Sequence, residues 1–187
     1  MGKKRLVVEN LNHKINLSVH TRRVTKGDLL LLQDISKTTF WEAFAHSNTE
    51  ADMAMYLEEQ LSLDKLKTEL ENPHTEFYFA SLDNQVIAYL KLNFDTAQTA
   101  IKDKAALEIE RIYVLQAFHR KKIGTALLAI ALQKAKEIKA PFIWLGVWEH
   151  NKQALDFYKQ QGFEAFDQHI FKLGNDEQTD LLMCLKL

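Results

Sequence analysis

The segment from Ala106 to Trp148 constrains the fold most. A strand-like run rich in Ile, Tyr and Val, Ala106–Leu115, leads into the stretch FHRKKIGTALLAIALQKAKEIKAP, Phe118–Pro141. Within it Ile123, Leu127, Ile130, Ala131, Ala135 and Ile138 fall on one helical stripe, and Pro141 ends the helix. A second apolar run, Phe142–Trp148, follows at once. Two strands joined through a full helix cannot form a hairpin. They form a βαβ crossover, so they should run parallel in one sheet. The chain is therefore expected to be α/β.

The remaining pattern extends that sheet. Ile15–His20 alternates as a short strand, and Lys26-Gly27-Asp28 reads as a turn and helix start. Apolar residues at helical spacing predict helices over Leu29–Phe44, Met53–Leu61 and Leu63–Leu70, the last stopped by Asn72-Pro73. Phe77–Ser81 and Val86–Phe94 read as strands around the turn Leu82-Asp83-Asn84-Gln85. Asn151–Gln161 is a short helix with Gly162 as its C-terminal cap, and Phe163–Leu173 and Leu181–Leu187 are the last strands. The order predicts a mixed sheet with helices on its faces. A length of 187 residues, 47% of them hydrophobic, suits one domain over residues 15–187. Residues 1–14 read as an N-terminal arm.

Charge and cysteine usage exclude several classes. Lys and Arg number 24 against 25 Asp and Glu, which argues against a nucleic-acid partner. The single cysteine, Cys184, allows neither an internal disulfide nor a Cys-rich zinc site. The seven histidines show no metal-ligand spacing, so no metal is expected. No apolar run is long enough to span a bilayer, and the N-terminus lacks a signal-peptide pattern, so no membrane partner and a cytoplasmic location are expected.

One local charge bias stands out. From Phe118 to Lys139 there are six Lys or Arg residues against one acid, Glu137. His119, Arg120, Lys121 and Lys122 sit where a strand gives way to a helix. The helix N-terminus there offers unpaired amides and a positive dipole end, a combination that suits phosphate. On charge alone the run reads equally well as a solvated turn. Neither G-x-x-x-x-G-K-[ST] nor G-x-G-x-x-G occurs, so this is not a nucleotide fingerprint.

Two ordered blocks carry a resemblance. His119-Arg120-Lys121-Lys122-Ile123-Gly124 is similar to the loop Gln/Arg-x-x-Gly-x-Gly/Ala of the GCN5-related N-acetyltransferases, with His119 in place of Gln or Arg and Lys122 in place of the first glycine. Asn151–Phe163 matches that family's N-x-x-A-x-x-F-Y-x-x-x-G-F at every named position. The segments Glu110–Val114, Trp144–Asn151 and Leu173–Asp180 further resemble the PaiA-type subgroup, similar to spermine/spermidine acetyltransferases.

The resemblance implies a sheet splayed open beside the first βαβ strand and acetyl transfer from acetyl-CoA to an amine by direct attack on the thioester. It implies that His119, Arg120, Lys121, Lys122, Ile123, Gly124 and Thr125 hold the pyrophosphate, with Gly124 allowing close approach. Ile112, Tyr113 and Val114 would offer backbone groups to pantetheine. Asn151 would touch the cofactor, or simply cap its helix. Tyr158 is the candidate acid toward the leaving sulfur, and Glu110 the candidate base, through a water. Their alternatives are a packing tyrosine and a carboxylate paired with Arg111 or a lysine. The implied acceptor is a small-molecule amine, most simply a polyamine. Nine acids against two lysines between Phe40 and Glu76 would form an acidic wall for it, with Phe40, Trp41, Tyr56 and Tyr78 as cation–π partners. Those acids also read as solvated helix faces, and Trp41 as core. A protein N-terminus or lysine as acceptor, a CoA-binding regulator without turnover, and a homodimer through the last strands are the remaining options.

Overall fold

The computed structural model describes residues 19–101 and 103–187. Residues 1–14, and most of the strand expected over Ile15–His20, lie outside them. The first described strand, β1 (His20–Arg23), starts where that expectation ends. Then come α1 (Leu29–Phe44), α2 (Glu50–Gln60), α3 (Leu63–Glu71), β2 (Thr75–Leu82), β3 (Gln85–Phe94), β4 (Leu107–Val114), α4 (Ile123–Glu137), β5 (Phe142–Trp148), α5 (Lys152–Gln160), β6 (Glu164–Leu173) and β7 (Asp176–Lys186). Seven strands form one sheet in the order β1-β2-β3-β4-β5-β7-β6. The single mixed α/β sheet is as expected, and β4 and β5 are its parallel pair.

Local chemistry sets the helix starts. Thr49 and Ser62 cap α2 and α3 by accepting from the amides of Asp52 and Lys65. One core face packs β3, β4 and β5 under α4 and α5, through residues such as Leu90, Ile109, Leu127, Leu145 and Leu155. The opposite face packs α1, α2 and α3 on the sheet through Leu32, Phe40, Met53, Leu66, Phe77 and Tyr89.

The last strand differs from the expectation. It begins at Asp176, five residues before the expected Leu181, because Asp176–Asp180 pair with His169–Leu173 in a tight hairpin. That segment is polar, so hydrophobicity alone gives no strand signal there. The turn residue Gly174 has φ +61, and a Cβ there would lie 2.7 Å from the Cα of Asp52. The Asn175 amide donates to Asp52 Oδ1 at 2.8 Å, so the hairpin is tied to α2.

Two irregularities shape the sheet's centre. Strand β4 carries a bulge: Lys91 pairs with Arg111 and Leu92 with Ile109, leaving Glu110 as the extra residue. Beside it, β4 and β5 pair only at Leu107↔Ile143 and Glu108↔Trp144. Beyond Glu108 the two strands part, and among the described residues the backbone groups of β4 that face β5 have no strand to pair with.

Candidate active site

The gap between β4 and β5 opens into a cavity of about 450 Å³. Its walls come from α1 and α2 on one side, α5 on the other, and β4 to β7 between them. Of the residues expected at the site, Phe40, Tyr56, Glu110, Ile112, Tyr113, Asn151 and Tyr158 line it.

Tyr158 comes from the buried face of α5. It is 6% exposed, and its ring packs edge-on against Phe157 and Phe163. Burial alone lifts its phenol well above the ordinary range. Tyr158 therefore keeps its proton at neutral pH. Asn151 caps α5: its Oδ1 accepts from the Ala154 amide at 3.1 Å. It also lines the cavity, so capping and a place at the site coexist in one residue.

Glu110 sits in a dense polar cluster. The bulge turns Glu110 and Arg111 toward the same partners under α3. Glu110 pairs with Lys91 at 2.6 Å and Arg111 at 3.0 Å, and accepts from Asn93 at 2.5 Å. Glu69 of α3 closes the cluster, 2.9 Å from Lys91 and 3.1 Å from Arg111. Burial works against the Glu110 carboxylate, but Arg111, Lys91 and the hydrogen bonds outweigh it and pull its pKa down to about 2. Such a carboxylate has little affinity for a proton. Its arrangement matches the paired-carboxylate alternative better than a base. Neighbouring Glu108 is pushed up instead, by burial and by the charge of Glu110, while Thr99 and Asn93 donate to it.

The basic turn lies outside the cavity, at the N-terminus of α4. His119 Nε2 lies 2.8 Å from the Val114 carbonyl oxygen, and Lys121 Nζ sits 4.8 Å from the Phe118 ring centre. Arg120, Lys121 and Lys122 are exposed and join no ion pair among the described residues. Among the described residues no side chain caps α4, so its first amides are left for another partner. Both Arg120 (φ 60) and Lys122 (φ 62) adopt the left-handed conformation. The family's glycine at position 122 thus has a backbone reason that lysine meets only with strain. Gly124 has no such φ. A Cβ there would stand 3.5 Å from the Phe157 ring, so its smallness faces α5.

Other expected partners fall elsewhere. Trp41 is 43% exposed on α1 and does not line the cavity. Tyr78 donates to Glu76 at 2.6 Å and faces a separate small pocket with Arg22, Arg23 and Lys134. None of the nine acids between Phe40 and Glu76 lines the cavity. Glu69, Glu71 and Glu76 pair with Lys or Arg, and Glu42 accepts from the Gln116 amide. The acidic wall is thus spent on folding contacts and helix surfaces. Within the cavity the carboxylates are Glu108, Glu110 and Asp180. The aromatic lining is Phe40 stacked on Tyr56 at 4.2 Å, with Phe44, Tyr113 and Trp148 around them. Asp180, His169 and Glu108 escaped the sequence reading. Asp180 and His169 reach the cavity through the placing of β7 between β5 and β6, which no local pattern announces, and Glu108 reaches it from β4. Among the described residues no group of three or more His, Cys, Asp or Glu could hold a metal ion, and no helix is long and apolar enough to cross a membrane.

The chain matches the family model described as the acetyltransferase (GNAT) family over residues 38–163. It is 42% identical over 161 residues to an uncharacterized N-acetyltransferase in the pepI 3' region of Lactobacillus delbrueckii subsp. lactis, covering 86% of this chain and 93% of that protein. It is 25% identical over 155 residues to the spermidine N(1)-acetyltransferase of Thermoplasma acidophilum, covering 81% of this chain and 91% of that protein. Its fold superposes on the crystal structure of the PaiA N-acetyltransferase from Thermoplasma acidophilum in complex with coenzyme A, with a TM-score of 0.76, 23% identity, and coverage of 91% and 100%.

Proposed function

The chain belongs to the acetyltransferase (GNAT) family and is an acetyl-CoA-dependent N-acetyltransferase, and from that premise we propose that its acceptor is a polyamine such as spermidine or spermine, as in the PaiA-type subgroup. The observation that carries this reading is the parting of β4 and β5 over a cavity that gathers carboxylates, aromatic faces and Tyr158. The likeness to a spermidine N(1)-acetyltransferase supports the same acceptor. Carboxylates attract an alkylammonium and aromatic faces favour it through cation–π contact.

Acetyl-CoA supplies the activated acetyl thioester. The uncapped start of α4, with exposed Arg120, Lys121 and Lys122, suits its phosphates. In this proposal the amides of residues 120–125 hold the pyrophosphate, the His119 amide being donated to the Gln116 carbonyl at 3.1 Å. The unpaired edge of β4 at Ile112, Tyr113 and Val114 takes the pantetheine amides, and one such N–H steadies the thioester carbonyl as negative charge develops on it. Tyr158 keeps its proton and donates a hydrogen bond to the leaving sulfur as charge builds there. On ordinary values, ~10 for a phenol and ~8.5 for a thiol, full transfer is slightly uphill. Tyr158 therefore helps by sharing its proton during bond cleavage. The amine, with a pKa near ~10.4 for a lysine-like nitrogen, arrives protonated and has to lose a proton before it attacks.

The test is thiol release from acetyl-CoA with spermidine, spermine, putrescine, free lysine and short peptides. Preference for spermidine or spermine is the expected result. Turnover with peptides alone would move the acceptor to a protein N-terminus or lysine. Acetyl-CoA binding without turnover on any acceptor would point to a regulator.

A further inference from the structure

The cavity holds one carboxylate that the fold leaves uncommitted. Asp180 sits in the middle of a cross-strand row, opposite Trp148 of β5 and opposite His169 of β6. All three line the cavity. Its side chain is 15% exposed, and its only ion-pair neighbour among the described residues is His169, with Nε2 3.9 Å from Oδ2. Gly146 of β5 faces the pair: a Cβ there would lie in ordinary contact, 3.4 Å from Asp180 Oδ2 and 3.7 Å from His169 Nε2.

The charged groups around Asp180 are otherwise engaged. Arg111, on β4, is held by Glu69 and Glu110. Lys172, on β6, pairs with Glu177 at 3.1 Å. Tyr113, also on β4, keeps its phenol proton under burial and the nearby Asp180 charge. Tyr158 approaches from α5, and β5 contributes no titratable group to the row. The contrast with Glu110 is direct. Glu110 has two cations and an amide donor, whereas Asp180 has a cavity in front of it.

We propose that Asp180 receives the acceptor's ammonium group and takes its proton, with His169 as the outlet for that proton. The inference rests on the reading above, that this cavity admits an amine. One N–H bond of R–NH3+ breaks, its proton joins the Asp180 carboxylate, and the electron pair stays on nitrogen as R–NH2. Oδ2 and Nε2 stand beyond direct hydrogen-bond reach, so the carboxylic acid passes the proton through one intervening water to the imidazole of His169, and from there to solvent. Burial raises Asp180 to about 6, and burial lowers His169 from 6.5 against the opposing pull of the nearby Asp167 carboxylate. At neutral pH the pair is therefore a carboxylate beside a neutral imidazole, the state that can accept.

The experiment compares a protonated with an unprotonated acceptor. Wild type, Asp180→Asn and Asp180→Glu are assayed with spermidine and with an aromatic amine that is neutral at pH 7, each between pH 5.5 and 9. Acetyl-CoA binding is measured in parallel by calorimetry. With spermidine, wild-type kcat/KM should climb through an acidic limb near the Asp180 value of about 6. Asp180→Asn should lose about 100-fold and the limb with it. With the neutral amine the loss should stay below about threefold, because no proton needs removal before attack. Asp180→Glu keeps a carboxylate and should keep a limb at a shifted pH, which decides the matter even if Asp180→Asn does not fold. Equal losses on both amines, or an acidic limb that survives in Asp180→Asn, overturn the assignment. A wild type that binds acetyl-CoA yet acetylates neither amine removes the amine reading and this inference together. An active wild type with an unimpaired Asp180→Asn removes the inference alone.

Discussion

Asp180 is ionised at neutral pH in surroundings that disfavour it, and that has a cost in stability. Its folded pKa, about 6, exceeds the ordinary 3.8. Between those values the folded chain keeps a proton that the unfolded chain has lost, so this group's effect on stability worsens as pH rises through that window. Above about 6 the cost is complete, on the order of 3 kcal/mol at most. Asp180→Asn is therefore expected to melt several degrees higher than wild type at pH 7.5, with the gain vanishing near pH 4. Calorimetric scans at the two pH values check it. Lys122 holds strain of another kind. Its left-handed φ of 62 suits glycine, so Lys122→Gly should be about 1 kcal/mol more stable than Lys122→Ala in urea titrations. Both variants lose the same charge, which isolates the backbone effect. Tyr158→Phe should leave the fold intact, since the ring packing remains, while kcat falls about 100-fold. Residues of this kind were unequally legible. Tyr158 stands inside a spaced block that marks it. Asp180 closes the block Leu173–Asp180 that carries part of the resemblance, yet only its three-dimensional neighbours give it a role.

Strand β4 shows how an element can carry a site. Its sequence, LEIERIYV, places apolar residues at 107, 109, 112 and 114, and the slip from a spacing of two to three is the bulge written into the chain. That signal was available, yet the run reads as an ordinary strand unless the break is weighed. The bulge brings Glu110 and Arg111 to Glu69 and Lys91, a buried cluster that ties α3 to the sheet. Removing one partner leaves an uncompensated charge. Glu69→Gln is expected to lose about 3 kcal/mol in urea denaturation at pH 7. Glu110 adds a pH signature. With a folded value near 2 against an ordinary 4.5, its contribution is present above 4.5 and is lost as pH falls toward 2. The helices were the most legible elements. Leu29–Phe44 was bounded by the turn Lys26-Gly27-Asp28 and its periodicity, and α5 by its capping Asn151. Strand β7 was half hidden, because its first five residues are polar and pair across a hairpin rather than entering the core.

Across the whole molecule, a net charge of -1 conceals two separated fields. Positive groups crowd the start of α4, and carboxylates gather in the cavity between β4 and β5. The basic turn is exposed and therefore screened by salt. Raising ionic strength from about 0.01 to 0.15 M shortens the screening length from ~30 to ~8 Å, so acetyl-CoA binding should weaken measurably over that range by calorimetry. Sequence order predicts the parallel β4–β5 pair but not the insertion of β7 between β5 and β6, since antiparallel neighbours can be arranged in more than one way. That insertion is what delivers Asp180 and His169 to the cavity. The parting of β4 and β5 has a mechanical consequence as well. Among the described residues two pairs are all that stitch β1–β4 to β5–β7 along the strand ladder. An extended amide-bearing arm laid along the open edge of β4 would serve as a surrogate strand. Amide hydrogen exchange at those residues of 109–114 whose N–H groups point away from β3 should then be quick in the free protein and slow once acetyl-CoA is bound, so that the co-substrate acts as a seam in the sheet it reacts within.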